Sequence, residues 1–112
     1  MPTEATYEVR LTLGAENDLQ VLYRNIADHR SETHAEALLD TILGAIESLE
    51  RFPDRGAIPG ELTTLGIRDY RQIVLSPYRI IYRVIHTTVF ISLIADGRRD
   101  MQALLERRLL CP

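Results

Sequence analysis

The hydrophobic period of this chain changes twice, and that change most constrains its fold. Tyr7, Val9, Leu11 and Leu13 alternate with Glu8, Arg10 and Thr12, which reads as a half-buried strand over residues 6–13. The spacing then becomes helical. Ala15, Leu19, Leu22, Tyr23 and Ile26 mark one face of a helix running to about His29. Ala35, Leu38, Leu39, Ile42, Ile46, Leu49 and Phe52 give a second helix a longer stripe, and Pro53 stops it. After a loop at 53–66 the alternation returns in three short segments, 67–75, 78–86 and 89–95. Two joined amphipathic helices must bury their stripes, and one face of a sheet is the layer available to receive them.

Local signals set the joints. Glu16 and Asp18 lie in the first turn of the first helix, where carboxylates suit the positive end of the dipole. Ser31 or Thr33 can cap the second helix, and Thr33 with Glu36 would form a capping box. The short link predicts an antiparallel helical hairpin. Pro53, Gly56, Pro59, Gly60 and Gly66 make 53–66 the longest loop. Ser76-Pro77 and His86-Thr87-Thr88 are short breaks, so the three strands form an antiparallel meander. Met101, Leu104, Leu105 and Leu109 share one side of a short helix within 98–110. That side is expected either to dock on the chain's own sheet or to meet a partner or a second copy. The fold class is α+β in two layers: strand, helical hairpin, three-stranded meander and short C-terminal helix. The 112 residues are expected to form one domain.

No apolar run approaches the about 18 residues that cross a bilayer. Met1 to Thr6 carries Glu4 and lacks the pattern of a signal peptide. The single cysteine, Cys111, fits a reducing, cytoplasmic setting. His29, His34 and His86 are scattered without zinc-type spacing, so no metal is expected, and no cofactor is needed to explain the apolar stripes. The net charge of −3 argues against a general nucleic-acid binder. Its distribution is uneven: residues 1–50 balance at −7 and residues 51–112 at +4, with all thirteen basic residues arginine. The back half could therefore attract phosphate or carboxylates.

In this order the segments resemble the RelE/ParE toxin superfamily of type II toxin–antitoxin and plasmid stabilisation systems. The resemblance rests on Leu11-Thr12-Leu13-Gly14-Ala15-Glu16-Asn17-Asp18-Leu19, on Leu49-Glu50-Arg51-Phe52-Pro53, and on Gly66-Ile67-Arg68. It rests further on Tyr78-Arg79-Ile80-Ile81-Tyr82-Arg83-Val84 and on Arg98-Arg99-Asp100. It implies a RelE-like fold whose first strand lies beside the last. It also implies a cognate antitoxin with an acidic or disordered C-terminal tail that wraps the toxin. Within the superfamily, RelE-like members cut messenger RNA on the ribosome and ParE-like members poison DNA gyrase.

Metal-free RNA cleavage needs a base, cations for the developing charge and an acid for the leaving oxygen. The resemblance implies a phosphate-binding role for Arg79 and offers Glu61 as a base, with Arg98 or Arg99 beside them. The acid is missing: Asp96 stands near the usual histidine, and no tyrosine follows Tyr82. An exposed aspartate is ionised at neutral pH and is a poor proton donor. The ParE-like reading is therefore favoured: a growth-inhibiting, non-enzymatic gyrase poison silenced by its antitoxin. The alternatives are a ribosome-dependent endoribonuclease and a decayed toxin that only binds its antitoxin. Either a homodimer or a toxin–antitoxin hetero-oligomer fits. Arg68, Arg71, Arg79, Arg83, Arg98 and Arg99 are the candidate binding residues. By alternation Arg79, Ile81 and Arg83 share the sheet face turned away from the helices. That face is expected to stay free for a macromolecular partner, with Arg83 either there or paired to a helix carboxylate. Tyr78 and Tyr82 are expected to line the core or a groove.

Overall fold

The computed structural model describes residues 6–110; the N-terminal residues before Thr6 and the lone Cys111 lie outside the described residues. Strand β1 spans Glu8–Leu11. It is shorter than its alternation suggests because Thr12 caps the next helix, its hydroxyl accepting the Ala15 N–H at 3.1 Å. Leu13 therefore opens helix α1 (Leu13–His29) and is 84% exposed instead of pointing inward. Ser31, not Thr33, caps α2 (Glu32–Ser48) and accepts the His34 N–H at 3.1 Å. With Ser31 in that role only Arg30 and Ser31 separate the helices, and the hairpin is tight.

Strands β2 (Tyr70–Leu75), β3 (Tyr78–Ile85) and β4 (Thr88–Asp96) follow. The sheet order is β1-β4-β3-β2, with β1 parallel to β4 and the other pairs antiparallel. The first strand thus lies beside the last, as the resemblance implies. The helical hairpin sets Ala15, Ile42, Ile46 and Leu49 on Ile73, Ile80, Tyr82, Val89, Ile91 and Ile94. The predicted inward set on β3 is correct at Ile80 and Tyr82, both fully buried.

The opposite sheet face departs from expectation, since it is not left free. The loop contains a short helix, α3 (Gly60–Thr63), and the chain ends in α4 (Met101–Leu105) continued by a π-helical turn, Glu106–Leu110. Leu62, Met101, Leu104 and Leu105 cover Ile81, Leu93 and Ala95 on that face. The reason lies in β4, where Ile91, Ser92, Leu93, Ile94 and Ala95 are all buried. A strand that is apolar on both faces needs a layer on each side. Arg98 and Arg99 precede α4 and do not open it; Asp100 is its cap, accepting the Ala103 N–H.

Two side-chain ties lock these layers. The Tyr82 hydroxyl donates to the Pro53 carbonyl at 2.7 Å and accepts the Gly56 N–H at 3.0 Å, pinning the loop to the sheet. Gly56 sits so close that a Cβ there would lie 2.5 Å from the Gln72 carbonyl oxygen. The second tie acts where β1 ends. Its last pair is Leu11 with Ile91, while β4 continues to Asp96. Asp18 accepts the Ile94 N–H at 3.0 Å, and Arg108 donates to the Ser92 carbonyl at 3.0 Å. The two side chains also form a paired fork, both contacts 2.9 Å. An aspartate and an arginine thus give the strand edge the acceptor and donor that β1 no longer provides.

Tyr82→Phe should lower unfolding stability by about 2 kcal/mol, because it orphans a buried N–H and a carbonyl while keeping the ring. Urea denaturation checks this, and Gly56→Ala should cost more, since its steric conflict is with backbone.

Candidate functional site

Arg79 is the residue on which the sequence reading placed most weight. Strand β3 directs it toward α3, and the guanidinium meets both oxygens of Glu61 at 2.8 Å. Its Nε donates to the Gln72 amide oxygen at 2.6 Å. The side chains of Arg79 and Glu61 are only 12% and 28% exposed. The stem runs against Gly97, where an added Cβ would lie 2.7 Å from the Arg79 Cδ, so glycine permits the close pass. This is a planar two-point pair, the geometry that suits arginine with carboxylate.

The pair changes what the two groups can do. The hydrogen bonds from Arg79 hold the Glu61 carboxyl below its ordinary value of 4.5, although burial acts the other way. A carboxylate stabilised in its anionic form is a weaker base, and an arginine with a bound carboxylate offers little net charge to a phosphate. Asp96, near the position of the missing acid, is likewise engaged. Its carboxylate accepts from the Arg98 side chain at 2.6 Å and from the Arg98 backbone N–H at 2.9 Å. These bonds from Arg98 bring Asp96 down to about 2, so it remains ionised and cannot donate a proton at neutral pH.

The other candidate arginines do not gather into one site. Arg71 donates to the Gly56 carbonyl at 2.7 Å and lies 3.9 Å from the Asp54 carboxylate, so it braces the loop. Arg83 pairs with no helix carboxylate; it lies over the Tyr70 ring, 5.3 Å from the centroid, and donates to its hydroxyl at 3.2 Å. Arg68 is exposed in the segment before β2. Arg98 and Arg99 border a groove of about 690 Å³ between α1 and the end of β4, with Tyr78, His29 and Arg30. A second groove, about 560 Å³ and mainly apolar, runs beside α1 and is lined by Leu11, Leu19, Tyr23 and Leu39. Gln72, Gly97, Asp18 and Arg108 carry structural weight that the sequence reading missed. Their partners lie on other elements, and only the strand register reveals them.

Among the described residues no three histidine, cysteine, aspartate or glutamate side chains are grouped to hold a metal. Nor is any described helix long and apolar enough to cross a membrane.

Glu61→Gln should destabilise the fold by about 1–2 kcal/mol at neutral pH, a modest value because the pair is partly solvated. A carboxyl held low in the folded state contributes stability above its unfolded value of 4.5, and that contribution fades as the pH falls through the lower folded value. Denaturation curves of wild type and Glu61→Gln should therefore diverge at pH 7 and converge in acid; a constant gap would contradict the pairing.

Comparison with known proteins agrees with this architecture. Residues 9–101 match the family described as the ParE toxin of the type II toxin–antitoxin system parDE. No curated protein matches the chain. Among solved structures, one titled as the chromosomal ParDE toxin–antitoxin system from P. aeruginosa superposes with a TM-score of 0.69 at 20% identity. The match covers 82% of this chain and 97% of that one. A chain of the toxin–antitoxin complex RelBE2 from Mycobacterium tuberculosis superposes with a TM-score of 0.57 at 27% identity, covering 86% of this chain and 97% of that one. With the matched segment spanning the sheet, both long helices and the start of α4, this chain belongs to the ParE toxin family of type II toxin–antitoxin systems.

Proposed function

We propose that this ParE-family chain acts in the cytoplasm by binding rather than by cutting, with DNA gyrase as its target and a cognate antitoxin as its neutralising partner. The observation that carries this reading is the closed Arg79–Glu61 fork. The two residues best suited to a nuclease are committed to each other, and the nearest acid substitute, Asp96, is held ionised. Glu61, Arg79, Asp96 and Arg98 are each engaged in an ion pair, so most of the set proposed for general acid–base cleavage of RNA is committed within the protein. The net charge of −3 also disfavours tight docking on an RNA machine.

Gyrase enters through the ParE-like resemblance, and the antitoxin through the structural neighbours, which are titled as a toxin–antitoxin system and a toxin–antitoxin complex. The two grooves beside α1 offer surface for such partners. The endoribonuclease reading requires the Arg79–Glu61 fork to open on the ribosome.

Expression without antitoxin, with supercoiling, DNA damage response and message integrity followed together, tests these readings. Gyrase-linked DNA damage with intact messages is the expected result. Codon-boundary cuts in ribosome-bound messages, abolished by Arg79→Ala, would overturn it in favour of the nuclease. Unchanged growth at good soluble yield would instead indicate a toxin that has lost its activity.

A further inference from the structure

The sheet face turned away from α1 and α2 is only half covered. Helices α3 and α4 lie over Ile81, Leu93 and Ala95, with Tyr70 and Leu109 packed at the margin of that cluster, while among the described residues the end of this face nearer the β3–β4 turn carries no buried apolar cluster. There the register aligns one residue from each strand. Arg10 pairs with Phe90, Phe90 with Arg83, and Arg83 with Tyr70. Directly paired residues project to the same face, so the line runs cation, ring, cation, ring across all four strands. Ile85 lies in the next row, opposite Thr88. A hollow of about 540 Å³ opens over this region, lined by Phe90, Arg83, Ile85, Leu13 and Leu109 among others. Leu13 is 84% exposed and Ile85 39%, so apolar side chains stand in solvent at its rim.

The charges around the hollow are unequal. Arg108 is matched by Asp18, and Arg10 meets Glu8 in a solvent-exposed pair that contributes little. Arg83 has a ring and a hydroxyl but, among the described residues, no carboxylate. The surface is thus an apolar floor beside one half-buried, uncompensated guanidinium fixed by the Tyr70 ring.

We propose that this bare half of the sheet is a docking surface for an acidic polypeptide segment, which lays an apolar or aromatic side chain over Phe90 and Ile85 and sets a carboxylate on Arg83. The inference rests on the reading that this chain works by binding other proteins. Single-stranded nucleic acid fits less well. A phosphate chain needs several unmatched cations, whereas here Glu8 shares the adjoining row with Thr88 and one cation is uncompensated. The rim is aliphatic and gives bases no platform beyond the row itself.

The test is a titration of the isotope-labelled full chain, read by amide chemical shifts. The probe is a short synthetic peptide alternating glutamate with phenylalanine and leucine. Its controls are the same peptide with lysine for glutamate, and a short oligothymidylate. The acidic peptide should move the Arg83, Ile85 and Phe90 amides, and Arg83→Gln should weaken binding about tenfold. Ile85→Asp, at an exposed rim position, should abolish binding while leaving the rest of the spectrum in place. Shifts mapping elsewhere, equal binding of the lysine peptide, or preferential binding of oligothymidylate at these amides would overturn the proposal. If no acidic peptide binds but the operon's antitoxin still neutralises the chain, the surface inference fails and the toxin reading stands. Peptide binding at these amides, in a chain that harms no cell and binds no antitoxin, would keep the surface and remove the toxin reading.

Discussion

Burial of β4 on both faces is the constraint around which the rest of this structure is arranged. Ile91 and Ile94 turn to one side of the sheet and Leu93 and Ala95 to the other, with a bulge at Ser92 between them, and none of the five is left in water. One face takes the α1–α2 hairpin and the other takes α3 and α4. Each layer depends on the strand between them, because no helix here has another apolar surface of comparable extent to pack on. The 53–66 loop belongs to the same arrangement: its Leu62 closes one core, and its Pro53 and Gly56 are held by the Tyr82 hydroxyl rising from the other.

Electrostatics follows from that packing. The arginines of the back half look like an external surface when counted along the chain. In three dimensions several serve internal ties. Glu61 takes Arg79, and Asp18, from the acidic front half, takes Arg108, while Asp96 takes Arg98 at the surface. The partly buried guanidinium groups of Arg79 and Arg108 must find acceptors, and Glu61 and Asp18 supply them. Arg83 lies against its ring, and Arg51, Arg55, Arg68, Arg98, Arg99 and Arg107 remain exposed.

Much of the fold was legible in the sequence because it is written in periods. Ile80 and Tyr82 on β3, Ile42 and Ile46 on α2, and the stop at Pro53 follow from spacing and stereochemistry alone. The covering of the back face was half legible. The apolar side of Met101, Leu104 and Leu105 was plain, but its destination was not, because an amphipathic helix does not name its partner layer. The uncharged run Ile91-Ser92-Leu93-Ile94-Ala95 was the available clue that β4 needed two covers. The arginine site was the least legible part. Alternation correctly put Arg79 and Arg83 on one face, yet it could not reveal that Glu61 would arrive on a short helix inside a proline- and glycine-rich loop. Nor could it reveal that Phe90 and Tyr70 would flank Arg83, since both facts depend on register between distant segments.

The contact of Arg108 with Asp18 joins positions 90 apart in sequence. The π-helical turn Glu106–Leu110 is thereby tied to the first helix and to the margin of the central strand. The Ile94 amide is met by Asp18 of the first helix, but the Ser92 carbonyl is met when Arg108, 16 residues further along the chain, folds back onto the sheet. Without the Arg108 side chain the fold would keep every described strand and both long helices, yet present an unfinished sheet margin of the kind that recruits other strands.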